Sequence, residues 1–307
     1  MSTQKKPNFF IAGVSKCGTT AMSEYLRSHP NIFMCTPKEP HYFAEDFPGI
    51  RCVKNLSQYL ELYQEANSQH LVIGEASATY LYSIVAIQRI HEFNSNAKIL
   101  VMLRNPLDMV YSLHSEFLYN GNEIEEDFNK AWELQKTRSQ GLKIPPVCLE
   151  PKLLIYRDYA RYSLQLKRLF GFFPSEQVKI VLFDDFITYT EKIYLEVLQF
   201  LELPFDNRYD FPKINANKKC KSKPLNIILS YINQYTNAWH PITRKVKKMI
   251  GIQDISFLRL LRAKNTQESN RKPLNPTIRN KLIKVFRQDI EELSQILNRD
   301  LTYWIKD

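Results

Sequence analysis

NFFIAGVSKCGTTAMSEYLRSHP, residues Asn8 to Pro30, reads as a buried strand passing through a glycine turn into an amphipathic helix. Phe9 to Val14 is a short, β-prone apolar run. Gly13 and Gly18 bracket a loop whose small side chains let backbone N–H groups approach a ligand. Thr19 and Thr20 open a helix on which Ala21, Tyr25 and Leu26 recur at helical spacing. Its first amides and positive dipole end point back at the loop, and Lys16 adds a full charge. Phosphate or sulfate is the natural occupant, although strand-glycine-helix junctions also occur in α/β folds that bind nothing.

Gly13 and Gly18 have the spacing of the ATP-binding P-loop, but that motif places its lysine directly after the second glycine. Here Thr19 follows Gly18, and the lysine lies two residues before it. A second element bears on the same choice. Lys98 to Leu103, KILVML, reads as another buried strand, and Arg104-Asn105-Pro106 with a helix from about Leu107 to Tyr119 follows it. A magnesium-dependent NTPase usually carries an aspartate at such a strand end to hold the metal. Arginine there offers a planar fork of donors for a phosphate. Ser112, two turns into the helix, is placed to share that anion, so the pattern fits at least two anionic groups and no metal.

On these residues the chain resembles the sulfotransferases that use 3'-phosphoadenosine 5'-phosphosulfate (PAPS). Lys16-Cys17-Gly18-Thr19-Thr20 resembles the family's 5'-phosphosulfate loop, and Arg104-Asn105-Pro106 with Ser112 resembles its 3'-phosphate site. Lys38-Glu39-Pro40-His41-Tyr42-Phe43 resembles the segment in which Golgi-type and bacterial carbohydrate-like members carry a glutamate base. The resemblance runs from about Phe9 to Leu203. It implies an α/β, P-loop-like three-layer fold with a central, mainly parallel sheet and a helical C-terminal tail. It also implies sulfuryl transfer from PAPS to a hydroxyl or amine, with Glu39 as base and Lys16 assisting, and 3',5'-adenosine diphosphate (PAP) as product. His41 is the other candidate proton acceptor, with packing or pocket shaping as its simpler role. Tyr159 is the candidate for a tyrosine that approaches the nucleotide, and core packing is its simpler reading. A P-loop kinase or NTPase and a non-catalytic PAP-binding protein are the alternatives.

The chain has 307 residues, 44% hydrophobic and 12% aromatic, enough to bury a substantial core in one large domain. A formal charge of +10 would steer an anionic cofactor or acceptor, or simply aid solubility. No zinc finger, RNA-recognition signature or basic heptad region points to nucleic acid. Cysteines at 17, 35, 52, 148 and 220 form no CxxC and no metal-ligand spacing with histidine, so reduced thiols are expected, Cys17 being accessible from its loop. Met1 to Pro7 is polar and basic, and the first apolar run is too short for a signal peptide or a transmembrane segment. The expectation is a soluble, cytoplasmic protein.

Further along, Asn31 to Met34 reads as a short strand, Leu56 to Glu65 as a helix, and Leu71 to Gly74 as a strand ending in Glu75-Ala76-Ser77. Strand ends in such sheets face the ligand crevice. Glu75 is a second acid, a substrate contact or a cap for a helix beginning near Ile84. In several glycan sulfotransferases the matching stretch carries a lysine where this chain has Ala76, which leaves the acceptor open between a glycan and a small natural product. Asn120 to Lys152 reads as an insertion near the pocket whose run Glu123 to Asp127 is a solvated acidic helix. Arg157 to Phe170 reads as one helix, Val178 to Phe183 as a strand, and Asp184-Asp185 as the lead-in to a helix ending near Leu201. Phe211 to Pro224 is a basic loop with Lys213, Lys218, Lys219, Lys221 and Lys223. Such loops close over the cofactor phosphates in the resembling enzymes, and Lys221 and Lys223 are the candidate contacts; a solvated charge run is the plain alternative. Residues 225–307 form the helical tail. Within it Thr277 to Leu297 is amphipathic, and the basic stretch Trp239 to Lys264 has no assigned role.

Overall fold

A computed structural model of the chain describes residues 5–214, 218–222, 225, 226, 229, 260, 261, 263–268 and 273–306. Lys223 and nearly all of the basic stretch from Trp239 to Lys264 lie outside them. The chain divides into two compact units. The first is built from residues up to Met109, from Arg157 onward into the 204–214 segment, and from Asn280 to the C-terminus. The second takes Val110–Tyr156 and the described residues between 218 and Arg279.

The first unit is organised on five parallel strands: β1 (Phe9–Gly13), β2 (Ile32–Met34), β3 (Val72–Ala76), β4 (Lys98–Leu103) and β5 (Val178–Leu182), in the order β2-β3-β1-β4-β5. The apolar runs read from the sequence are therefore sheet strands covered on both faces, the usual state of parallel sheets. Phe9 to Ala12 and Ile99 to Leu103 are wholly inaccessible to solvent. β1 pairs with β3 and β4 at once, Phe9 lying opposite Gly74 on one side and Lys98 on the other. Gly74 is required by that contact, because a Cβ there would stand 2.8 Å from the Phe9 ring.

Helices complete each crossover: α1 (Thr19–Arg27) after β1, α2 (Leu56–Glu61) between β2 and β3, and α3 (Ala86–Phe93) between β3 and β4. The expected helix from Leu56 stops at Glu61, four residues early. After β4 the chain enters α4 (Pro106–Asn120), whose later turns belong to the second unit. The architecture is the expected α/β arrangement around a parallel sheet. Among the described residues no helix is long and apolar enough to cross a membrane.

Two expected elements divide. Arg157 to Phe170 is α7 (Tyr156–Tyr159) and α8 (Tyr162–Phe170), after the second unit's α5 (Phe128–Glu133) and α6 (Gln135–Arg138). α8 has no side-chain cap of its own. Asp289 replaces it from the C-terminal helix α11 (Pro276–Ile296), accepting from the amides of Tyr162 and Ser163 at 3.0 and 3.2 Å and from the Ser163 hydroxyl at 2.6 Å. The apolar stripe of α11, Leu282, Ile283, Phe286, Ile290 and Leu293, is buried as its spacing predicts. Asp184 and Asp185 precede the helix through Tyr194, Val197 and Leu198 as expected, but from a short helix of their own: they lie inside α9 (Phe183–Thr188), which is followed by α10 (Thr190–Phe200). Asp184 accepts from the Trp304 indole at 2.9 Å and Asp185 pairs with Arg299, which ties the chain's last residues to β5.

In the second unit the acidic run is not helical, and although Glu126 and Asp127 are exposed as expected, its first residue is not solvated. Glu123 is 2% exposed and accepts from both Arg138 amino groups at 2.5 and 2.7 Å, from Tyr156 at 3.0 Å, and from the amides of Ile124 and Glu125. Burial opposes its charge, but Arg138 and those amides outweigh burial and hold the carboxyl below its ordinary value. A short antiparallel pair, β6 (Lys218–Cys220) with β7 (Thr266–Glu268), also lies in this unit. Arg138→Met would strand a buried carboxylate and cost about 3–5 kcal/mol. Chemical denaturation checks this, with Arg138→Met/Glu123→Leu expected to recover most of the loss.

Candidate functional site

Parallel strands place all their C-terminal ends at one edge, and the chemistry-bearing residues of the first unit follow those ends. After β1, Lys16 takes a left-handed φ of 67° and Gly18 one of 89°. Gly18 is the N-cap of α1 and provides no side-chain cap, and the first turn carries no acidic residue. The amides that open α1 therefore face the loop without an internal acceptor. A Cβ on Gly18 would meet the Phe186 ring at 3.0 Å as well as strain its backbone. Thr19 is buried and Thr20 half-buried. Cys17, expected to be accessible, is fully buried. Burial pushes its thiol up to about 12 despite Arg104 and Lys16 nearby, so any contribution to ligand binding comes from its backbone.

Tyr159 reaches this loop from α7. It is 1% exposed, its hydroxyl donates to Ser15 Oγ at 2.7 Å, and its ring packs on Tyr82 at 4.9 Å. It therefore supports the loop after β1 while filling the core. Arg104, at the end of β4, donates to the Lys16 carbonyl at 3.4 Å and lies over the Phe183 ring at 4.7 Å. The two stretches singled out as anion-binding are thus joined by a direct contact.

The segment after β2 carries Glu39 and His41, both with left-handed φ, 64° and 52°. Non-glycine residues in this region cost energy and are retained where the surroundings fix them. Arg27 at the end of α1 anchors the segment, donating to the carbonyls of Met34 and Cys35 and to Thr36 Oγ1 at 2.6, 3.2 and 2.8 Å. The amide of Cys52 donates to the Pro40 carbonyl at 3.0 Å from the other side. Glu39 Oε1 accepts from Lys38 Nζ at 2.6 Å, and Oε2 lies 3.5 Å from His41 Nε2. Burial works against its charge, yet Lys38 and His41 together hold its carboxyl well below the usual carboxylate range.

His41 is itself fixed. Its Nδ1 lies 2.8 Å from Thr79 Oγ1 and its amide donates to Ser77 Oγ at 3.2 Å. Ser77 in turn donates to Glu75 Oε2 at 2.7 Å. Glu75, 1% exposed, also accepts from Tyr59 at 2.5 Å and from Tyr80 at 3.0 Å. Burial raises its pKa against the pull of those hydroxyls. It does not cap the helix near Ile84; Asp46 accepts from the Ile84 amide and Ser83 from that of Ala86. Glu75 supports the Ser77 and His41 chain from below. Sequence reasoning missed Ser15, Ser77 and Thr79. Glu75 and Ser77 at the end of β3 were the available signal, since every second residue of an extended segment shares a face; Thr79 lies in the turn that follows and gave none.

Lys16, Cys17, Gly18, Thr19, Thr20, Glu39, His41, Arg104 and Tyr159 thus belong to the first unit. Ser112 is buried on α4 within the second unit, and Lys221 lies exposed in that unit, its amide bonded to the Asn265 carbonyl at 2.7 Å. Lys223 lies outside the described residues.

Among known proteins, the chain is 29% identical over 167 residues to carbohydrate sulfotransferase 15 of Rattus norvegicus, covering 40% of this chain and 29% of that protein. It is 30% identical over 180 residues to bifunctional heparan sulfate N-deacetylase/N-sulfotransferase 2 of Bos taurus, covering 57% and 20%. Against membrane-associated sulfotransferase kil1 of Dictyostelium discoideum it is 24% identical over 300 residues, covering 75% and 62%. The chain spans less than two thirds of the length of each of these relatives. A solved sulfotransferase from Alicyclobacillus acidocaldarius shares the fold, with a TM-score of 0.71 at 24% identity over 98% of this chain and 100% of that one. The model of the sulfotransferase domain family matches residues 6–294, and the chain belongs to that family.

Proposed function

We propose that the protein transfers the sulfuryl group of PAPS to a hydroxyl or amine of a glycan or small natural product. The observation that carries this reading is the contact of Arg104 with the Lys16 loop, which makes one anion-binding surface of two strand ends beside the Glu39 segment. The residues fit the donor. The uncapped start of α1, the left-handed Lys16 and Gly18, and the side chains of Lys16, Thr19 and Thr20 suit the 5'-phosphosulfate. Arg104, held flat on Phe183, presents a guanidinium to the 3'-phosphate. Ser112, Lys221 and Lys223 are further proposed contacts with the donor.

Bound there, PAPS supplies an activated sulfuryl group with PAP as its leaving group. Glu39 accepts the acceptor's proton as the acceptor oxygen or nitrogen attacks. Lys16 balances the negative charge that develops on the bridging oxygen. His41 faces the same carboxylate and, fixed by Thr79, keeps its orientation. The folded pKa of Glu39 lies below the ordinary value, so its ion pairing is present at and above the carboxylate range and is lost only as pH falls through the depressed folded value. Ionisation of Glu39 therefore leaves turnover level across about pH 6–8.

In a thermal-shift titration, PAP at about a hundred times its dissociation constant adds roughly 2.7 kcal/mol of stability, and EDTA does not remove the shift. Stabilisation by ATP with magnesium alone would replace this reading with that of a kinase. Glu39→Gln lowers transfer of labelled sulfuryl groups by about a hundred- to ten-thousandfold with PAP affinity kept; retained turnover removes Glu39 from the role of base. Arg104→Ala weakens PAP binding first, and an unchanged PAP dissociation constant refutes its assignment.

A further inference from the structure

Neighbouring residues in an extended segment point to opposite sides, yet Lys38 and Glu39 meet at 2.6 Å. The left-handed backbone at Glu39 accompanies that meeting, and left-handed His41 brings its ring to the other carboxylate oxygen. The Lys38 side chain is 18% exposed, against 37% for Glu39, so the lysine is the more buried partner of the pair. As a stabilising device this is poor, because a partly exposed ion pair gains little and a long lysine loses rotamer freedom in making it. Two strained residues to assemble such a pair make sense when the orientation of the carboxylate is what matters.

We propose that Lys38 is a positioning residue for Glu39, clamping Oε1 so that Oε2, beside His41, is the oxygen that accepts the acceptor's proton. The inference rests on the reading of Glu39 as the base. The groups facing Glu39 are Lys38 and His41 from its own segment, Cys52, and Tyr159 from α7, with Glu75 acting through His41. Of these, Lys38 is the permanent cation. Its removal leaves His41 to orient the carboxylate alone, and the proton affinity of Glu39 rises. The clamp makes Glu39 a weak base that is always ionised, so proton transfer waits until bonding to sulfur has acidified the acceptor.

The test is a carbon-13 NMR titration of the full chain labelled at glutamate side-chain carboxyls, with Glu39→Gln identifying the Glu39 signal. In the wild-type protein this signal titrates below those of exposed glutamates. In Lys38→Met its midpoint rises by about one pH unit or more, a tenfold gain in proton affinity, and Lys38→Arg restores the low value. The thermal shift produced by PAP is the same in all three proteins. A smaller rise, or failure of arginine to rescue, overturns the proposal. Should Lys38→Met not fold, Lys38→Gln reports the same midpoint. Because neither turnover nor an acceptor is needed, the outcome stands apart from the Glu39→Gln transfer assay, which tests the base itself.

Discussion

Hydrogen bonding between parallel strands forces every strand of the first unit to end at the same edge, and the site is a consequence of that constraint. β1 delivers the Lys16 loop, β2 the Glu39 segment, β3 the Ser77 and Thr79 hydroxyls, and β4 Arg104. β1 lies between β3 and β4, so its loop has the hydroxyl-bearing end of β3 on one side and an arginine on the other, with β2 and the Glu39 segment one strand further out. The crevice outside such strand ends, where the order of connection reverses, is where open α/β sheets receive ligands.

Support comes from buried polar groups. Glu75 sits among three hydroxyls, Ser77 passes that contact to the backbone of His41, and Thr79 fixes the imidazole. From Glu75 through Ser77 to His41 and Thr79 each group bonds the next, the condition under which a buried polar network rigidifies its surroundings. On the far side, Tyr159 does the same for the anion loop through Ser15. Lys16, Glu39 and His41 occupy left-handed backbone, and the hydrogen-bonded support lies one layer deeper.

The strands β1 and β4, the helix α1 and the glycine loop between β1 and α1 were legible because an apolar run, a glycine turn and a helical stripe are local signals. What escaped the sequence depended on distant residues. The break near Arg161 needs no local cap because Asp289 supplies one from α11. Glu123 looks like one charge among four until Arg138 encloses it. Cys17 follows a basic residue in a loop, yet it points into the core, because left-handed φ values at Lys16 and Gly18 decide which way the side chains turn. The Lys38 contact is hidden for the same reason: the sign of a backbone angle at Glu39 is not written in the identity of a glutamate.

The cap that Asp289 places on α8 reaches further than one helix end. Tyr162 begins α8, and Tyr159, just before it, holds Ser15 in the loop that follows the first strand. The loop near residue 15 is thus braced by a helix that leaves the ribosome more than 260 residues later. During synthesis the first strand and its loop are made early, but their rear support is complete only once the last helix docks. Bracing of the loop at Ser15 is therefore a late event of folding, coupled to the arrival of α11.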